Sequence, residues 1–444
     1  MLEQALIVST LVLFLIVGFL VKNKNIKTIG RFTLSRNNMG WFPVSAGISM
    51  TYAGGAGLLA IPSLGYTYGW WPLIDPISLF FGILVVIFFI NKYRGDTGIT
   101  ISDLFSKADR KLSLLIGIVS TFVFTLILAA QFLALFKLIA PYFPEVSTVA
   151  LTLVPAALTF SYVLLGGFSS VTKTDILQFF AISILFITPI IYFASTNNIV
   201  SDTPIIPKEM PINLMVMLAL ALVFVPVSQD INIRVKSAKS QSEAIKGLLI
   251  GSFIYAVIIT SSIFMGVSLA ENNIVIKDTE QVITTFFNTY YPQIGIFAIL
   301  AAMAAIISTL DSYSLNTITV LSNDILVKFN FFKAKTEKQN IRIASALIFI
   351  SASSIALFFN GILTLILAAL LIYISILIPI ALGKKMGISD NYIFISSLLL
   401  IGIIAIFEIS GYEIDFKPFV YPVIGIGLMV LFSVSSKKLN KGLK

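Results

Sequence analysis

Cysteine and histidine are both missing from the 444 residues. That removes disulfides, thiolate or imidazole metal sites, and Ser-His or Cys-His catalysis. Any bound metal must sit on oxygen ligands, which suits hard ions such as Na⁺, Mg²⁺ or Ca²⁺. Charge is scarce too. Only 11% of residues are charged, against about 25% in a soluble domain. Together with 57% hydrophobic residues, this excludes a cytosolic enzyme, a disordered chain and a nucleic-acid binder, despite a net charge of +9.

What is present is apolar sequence in runs of roughly 20 residues, the length that crosses a bilayer core as helix. The reading is an all-α polytopic membrane protein with a lipid bilayer as its first partner. Thirteen spans are expected, at about 4–22, 40–66, 71–92, 112–140, 147–166, 172–194, 213–235, 243–270, 294–326, 340–360, 362–383, 391–409 and 418–436. The first span lacks the basic start and the cleavage site of a signal peptide and is expected to be retained. Loops after odd-numbered spans and the tail hold 26 of the 30 Lys and Arg residues. Positive residues stay cytoplasmic. The N-terminus is thus expected outside and the C-terminus inside, in a cell membrane. Ser435 to Lys444 is too short for an appended regulatory domain. The stretch Val282 to Phe287 reads as a short surface helix in an external loop, and the loop 195–212 is polar with three prolines.

Two spans look broken. Span 2 carries Gly54, Gly55 and Gly57 at mid-membrane, and each glycine costs helix about 1 kcal/mol relative to alanine. Span 7 carries Pro226, which removes a backbone bond. Taken singly, each has a bland reading as close packing or a kink. Five spans apart, they divide the chain into two five-helix halves of opposite orientation, each opening on an interrupted helix. That pattern points to a transporter site at the midplane, where unwound backbone can line a cavity. The organisation is then 1–39, an extra helix and loop; 40–194, the first repeat; 213–383, the second; and 384–444, two further helices and a tail.

Span 9 holds Ser308, Thr309, Asp311 and Ser312. Ser308, Asp311 and Ser312 share one helix face. A carboxylate in a bilayer costs at least about 2.5–3.5 kcal/mol unless matched by a cation, partner or proton. Hydroxyls, a carboxylate and exposed carbonyls make an all-oxygen site suited to Na⁺; back-bonding of Ser and Thr to their own helix is the alternative. Asp175, at the start of span 6, reads as either a helix cap or a site acid. Asp75 lies near the outer end of span 3, and Glu408 reads as solvated.

Four segments together resemble the sodium/solute symporter family of proline, galactose, sialic acid and choline transporters. They are Gly65 to Gly69, Gly166 to Gln178, Gln229 to Arg234 with Ala238 to Ala244, and Ala305 to Asp324, within about 40–345. The resemblance implies a LeuT-like core, a 5+5 inverted repeat with an added N-terminal helix. It implies a Na⁺ site on Met50, Ala53, Ala305, Ser308 and Thr309. A possible second Na⁺ falls on Asp175, Ser308, Asp311 and Ser312, with Asp311 standing where some relatives have serine. Substrate candidates are Tyr52, Gly54, Gly55, Gly57, Asp75, Phe224, Ser228 and Gln229. The implied activity is Na⁺-coupled import of a small organic solute by alternating access, first an amino acid such as proline. Choline or betaine, a sugar, sialic acid or a carboxylate are the alternatives, and a sensor or channel of the same fold is a distant one. No enzyme is expected.

Overall fold

The computed structural model describes residues 2–20, 26–34, 38–106, 109–195, 209–330, 336–410 and 417–442. Among them the chain is helical, and its one bridge between extended segments pairs Met39 with Ala238. Ten helices among the described residues are long and apolar enough to cross a membrane, or up to twelve if each of two bent pairs counts as one span. The expected span 172–194 lies within Phe168–Ser195, a 28-residue helix outside that tally. Most of the polar loop 195–212 lies outside the described residues. Val282–Tyr290 is helical as expected, but it buries Val282, Ile283, Phe286 and Phe287 against the bundle.

Both breaks fall where glycine and proline place them. Trp41–Tyr52 and Ala56–Tyr68 are bent by 57°, and Ile212–Val227 and Gln229–Ser237 by 42°. At Gly54 an added Cβ would lie 2.1 Å from Thr309 Oγ1, so only glycine lets span 9 approach this closely. At the span 7 break the freed carbonyls of Pro226 and Val227 accept hydrogen bonds from the hydroxyls of Tyr93 and Tyr373. Neighbouring spans thus satisfy that backbone, as a low-dielectric setting demands.

Span 9 is the most enclosed element. Every residue from Ala301 to Val320 is buried, between span 4 on one side and spans 2 and 6 on another. Its small residues, Ala301, Ala302, Ala304 and Ala305, let neighbouring backbones close in.

Each end of the bundle is tied by ion pairs. At one end Lys137 pairs with Glu280, and Glu280 also accepts from the Ile362 amide at 3.2 Å. At the other, Lys328 pairs with Asp103 at 2.7 Å and Asp324 at 3.0 Å, and Lys236 with Asp96 at 2.6 Å. Burial alone would raise the Asp103 carboxyl, but the Lys328 ammonium and the amides of Thr100 and Ile99 outweigh it and hold it below its ordinary range. Burial alone would lower Lys328, but Asp324 and Asp103 hold it above its ordinary range. The Asp103 contribution is complete above its unfolded pKa of about 3.9, and the Lys328 contribution below about 10.4. The opening of 94–106 is read by hydrogen exchange between pH 5 and 9, after correction for intrinsic rates. Asp103→Asn is expected to loosen that segment across the same range.

Candidate functional site

The first half of span 2 ends at Tyr52, and the last carbonyls of any helix lack helical donors. They also carry the negative end of its dipole. The Thr309 hydroxyl stands against this end, 3.1 Å from the Met50 carbonyl, 3.1 Å from that of Thr51 and 3.3 Å from that of Ala305 in its own helix. One hydroxyl has one hydrogen to give. Three carbonyl oxygens therefore share a single side-chain proton, and the cluster is rich in acceptors. A desolvated cation is the group that corrects such an imbalance. Ala53, also expected at the site, is fully buried at the break. Ser308 is turned to the other side, where its hydroxyl donates to Asp175.

Asp175 sits two turns inside the helix that begins at Phe168, fully buried, and its partner is Arg234 at 3.2 Å. The cap reading therefore fails, because the helix starts at Phe168, well before that reading requires. Arg234 corrects a second expectation. Counted by sequence among the cytoplasmic loop charges, it has no solvent exposure. Its Nε binds Asp230 at 2.8 Å, and its Nη2 lies 2.8 Å from Thr51 Oγ1 and 3.1 Å from Ser312 Oγ. Asp311 stands apart from this guanidinium and accepts from the Tyr162 and Thr174 hydroxyls. Among the described residues no group of three acids is placed to hold a metal ion. Glu408 is exposed at the far edge, paired with Lys417, as its solvated reading required.

Beside the span 2 break lies an internal cavity of about 100 Å³. Of the substrate candidates, Tyr52, Gly54, Gly57, Asp75 and Phe224 line it; Gly55, Ser228 and Gln229 do not. Gly55 instead donates its amide to Gln131 at 2.7 Å. Gln229 ties the broken helix to the loop before span 4, accepting from the Ile101 amide at 2.7 Å and donating to the Ile99 carbonyl at 3.1 Å. The Tyr52 hydroxyl approaches Ser228 without an aligned hydrogen bond. The cavity also takes in Gln131, Tyr255 and Tyr313, which sequence reasoning missed. Gln131 left a signal, as a lone amide in the apolar run of span 4. Arg234 left one too, because Asp230 stands four residues before it on one helix face. The tyrosines left none.

Asp75 accepts from the Tyr255 hydroxyl at 2.5 Å, and no Lys or Arg pairs with it among the described residues. The cavity lining therefore holds a carboxylate, three phenols, one amide and two threonines among otherwise apolar residues.

The model of the sodium:solute symporter family matches residues 32–382. The sodium/pantothenate symporter of Haemophilus influenzae is 25% identical over 385 residues, covering 78% of this chain and 72% of that protein. A Na⁺-coupled sialic acid symporter, solved substrate-bound and outward-open, superposes with a TM-score of 0.72 at 17% identity, covering 99% of this chain and 98% of the other. Mhp1, a nucleobase-cation-symport-1 family transporter solved closed with bromovinylhydantoin, gives 0.55 at 12% identity, covering 94% and 96%. These two structural likenesses establish the fold, which is LeuT-like. On the extent of the family match, this chain belongs to the sodium:solute symporter family, membrane carriers that move a small solute together with sodium.

Proposed function

We propose that Na⁺ binds at the span 2 break, held by the carbonyls of Met50, Ala53 and Ala305 and the hydroxyls of Ser308 and Thr309. One observation carries this reading: a single Thr309 proton faces three carbonyl oxygens. Bound Na⁺ would join the carbonyl end of span 2 to span 9 and order the unwound segment that borders the cavity. Solute then binds, one end of the bundle closes and the other opens. We place the repeats at 40–194 and 213–383, so that each half contributes one broken helix. With basic loops cytoplasmic, the Lys137–Glu280 end faces outside and the Lys328–Asp103 end faces the cytoplasm of a cell membrane.

The coupling energy suffices for accumulation. One charge crossing about 100 mV yields about 2.3 kcal/mol. A tenfold Na⁺ gradient adds about 1.4 kcal/mol. Together they support a concentration ratio of roughly several hundred-fold per Na⁺.

The cargo we propose carries a positively charged nitrogen, first an amino acid such as proline. Asp75 supports this, since its carboxylate lines the cavity without a basic partner among the described residues. Choline or betaine is the second reading, supported by Tyr52, Tyr255, Tyr313 and Phe224 around the same space. Cation–π contacts there would add about 0.5–2 kcal/mol. Pantothenate, the cargo named for the Haemophilus relative, is the reading that sequence kinship favours.

Uptake into proteoliposomes tests all three, with proline, betaine, choline, pantothenate, sialic acid and galactose, each driven by Na⁺ and then by K⁺. Na⁺-driven uptake of a nitrogen cation or zwitterion is expected. For that cargo, Asp75→Asn is expected to raise the half-saturating concentration about tenfold or more, the loss of a charged hydrogen bond. Uptake of pantothenate alone, unaffected by Asp75→Asn, would reject the proposed cargo chemistry.

A further inference from the structure

The four residues expected to hold a second Na⁺ do not form one open cage. The Arg234 guanidinium already binds two of them, Asp175 and Ser312, and Thr51 beside them. A third, Ser308, gives its hydroxyl to the other oxygen of Asp175. The fourth, Asp311, faces Tyr162 and Thr174 instead. The guanidinium is held from its own helix by Asp230, and it has no solvent exposure. There is no room for it to retract past span 2, because its Nη1 stands 1.6 Å from where a Cβ on Gly47 would be.

We propose that Arg234 is a tethered cation that fills the second cation position, so that this carrier couples one Na⁺ to each solute. The inference rests on the Na⁺-coupled reading above and fixes its stoichiometry. Guanidinium is charged at every working pH and cannot dissociate from the chain. A Na⁺ drawn to Asp175 would share that carboxylate with the guanidinium. For unit charges about 4 Å apart at the effective dielectric of a protein site, repulsion from the guanidinium alone weakens binding roughly a thousandfold, and the Asp230 carboxylate that would offset it is already bound to the same guanidinium. The same contacts tie spans 2, 6, 7 and 9 together, which is the mechanical task a second ion would otherwise perform.

The test is the Na⁺:solute flux ratio in proteoliposomes, from paired ²²Na⁺ and labelled-solute uptake. Wild type is expected to give one Na⁺ per solute and a Hill coefficient near one. The double variant Asp230→Asn/Arg234→Gln removes the guanidinium with its private counter-charge and leaves Asp175 free. It is expected to give two Na⁺ per solute, and Asp175→Asn added to it should restore one. Arg234→Lys should keep one throughout, because it keeps the charge. A wild-type ratio of two overturns the inference while leaving Na⁺ coupling intact; so does a folded, transporting double variant that stays at one. Should the double variant not fold, the wild-type ratio decides by itself. Uptake with no Na⁺ dependence at all would instead reject the coupling reading on which this rests.

Discussion

Thr309→Val is expected to raise the Na⁺ concentration for half-maximal uptake by roughly 10- to 100-fold, with little change in protein yield. Valine keeps the shape of threonine, so the packing against Gly54 survives. What disappears is one hydroxyl oxygen from the proposed ion shell and the one proton that Met50, Thr51 and Ala305 share. A hydrogen bond to a charged group contributes about 1.5–3 kcal/mol, which sets the range. Thr309→Ser keeps the oxygen and should stay within about threefold of wild type. Ser308→Ala should move in the same direction as Thr309→Val, and it also takes a donor from Asp175. Uptake assayed across Na⁺ concentrations at constant ionic strength checks the series. An unchanged Na⁺ dependence in both Thr309→Val and Ser308→Ala would remove the proposed site.

The second large effect concerns folding. Arg234→Ala should destabilise the protein by about 3–5 kcal/mol, because it strands buried carboxylates without their cation. Asp175 and Asp230 both depend on that guanidinium, and both are buried. The double variant Asp230→Asn/Arg234→Gln should recover much of the loss, since it removes charge of both signs together. Lys417→Ala offers the contrast. Its pair with Glu408 lies at the surface, where an ion pair is worth about 0–1 kcal/mol. Thermal unfolding in detergent should show a large fall for Arg234→Ala and almost none for Lys417→Ala.

The sequence carried the scaffold in signals that are local. Gly54, Gly55, Gly57 and Pro226 announce two breaks, and the structure bends within one or two residues of each. Ser308 and Thr309 stand out as hydroxyls in an apolar span, and the structure sets Thr309 against the broken helix end. The alternation of basic loops carried the expected orientation of the spans. It also misled at Arg234, because a loop count takes any Lys or Arg near a span end as solvated. Burial of that side chain depends on Asp175, 59 residues earlier, and on Thr51, 183 residues earlier. Asp75 and Tyr255 meet across 180 residues. Periodicity reports which face a residue occupies but not which face lies opposite. The tyrosines of the cavity were therefore invisible until the helices were packed.

A density map of the protein at high resolution, in sodium and again in potassium, tests the central claim most directly. In sodium, density for one ion is expected between the Met50, Ala53 and Ala305 carbonyls and the Thr309 hydroxyl, with the Ser308 hydroxyl rotated from Asp175 to join them. In potassium that density should be gone. An ion found elsewhere in the sodium map, with the Thr309 hydroxyl still on the Met50 carbonyl, would contradict the claim.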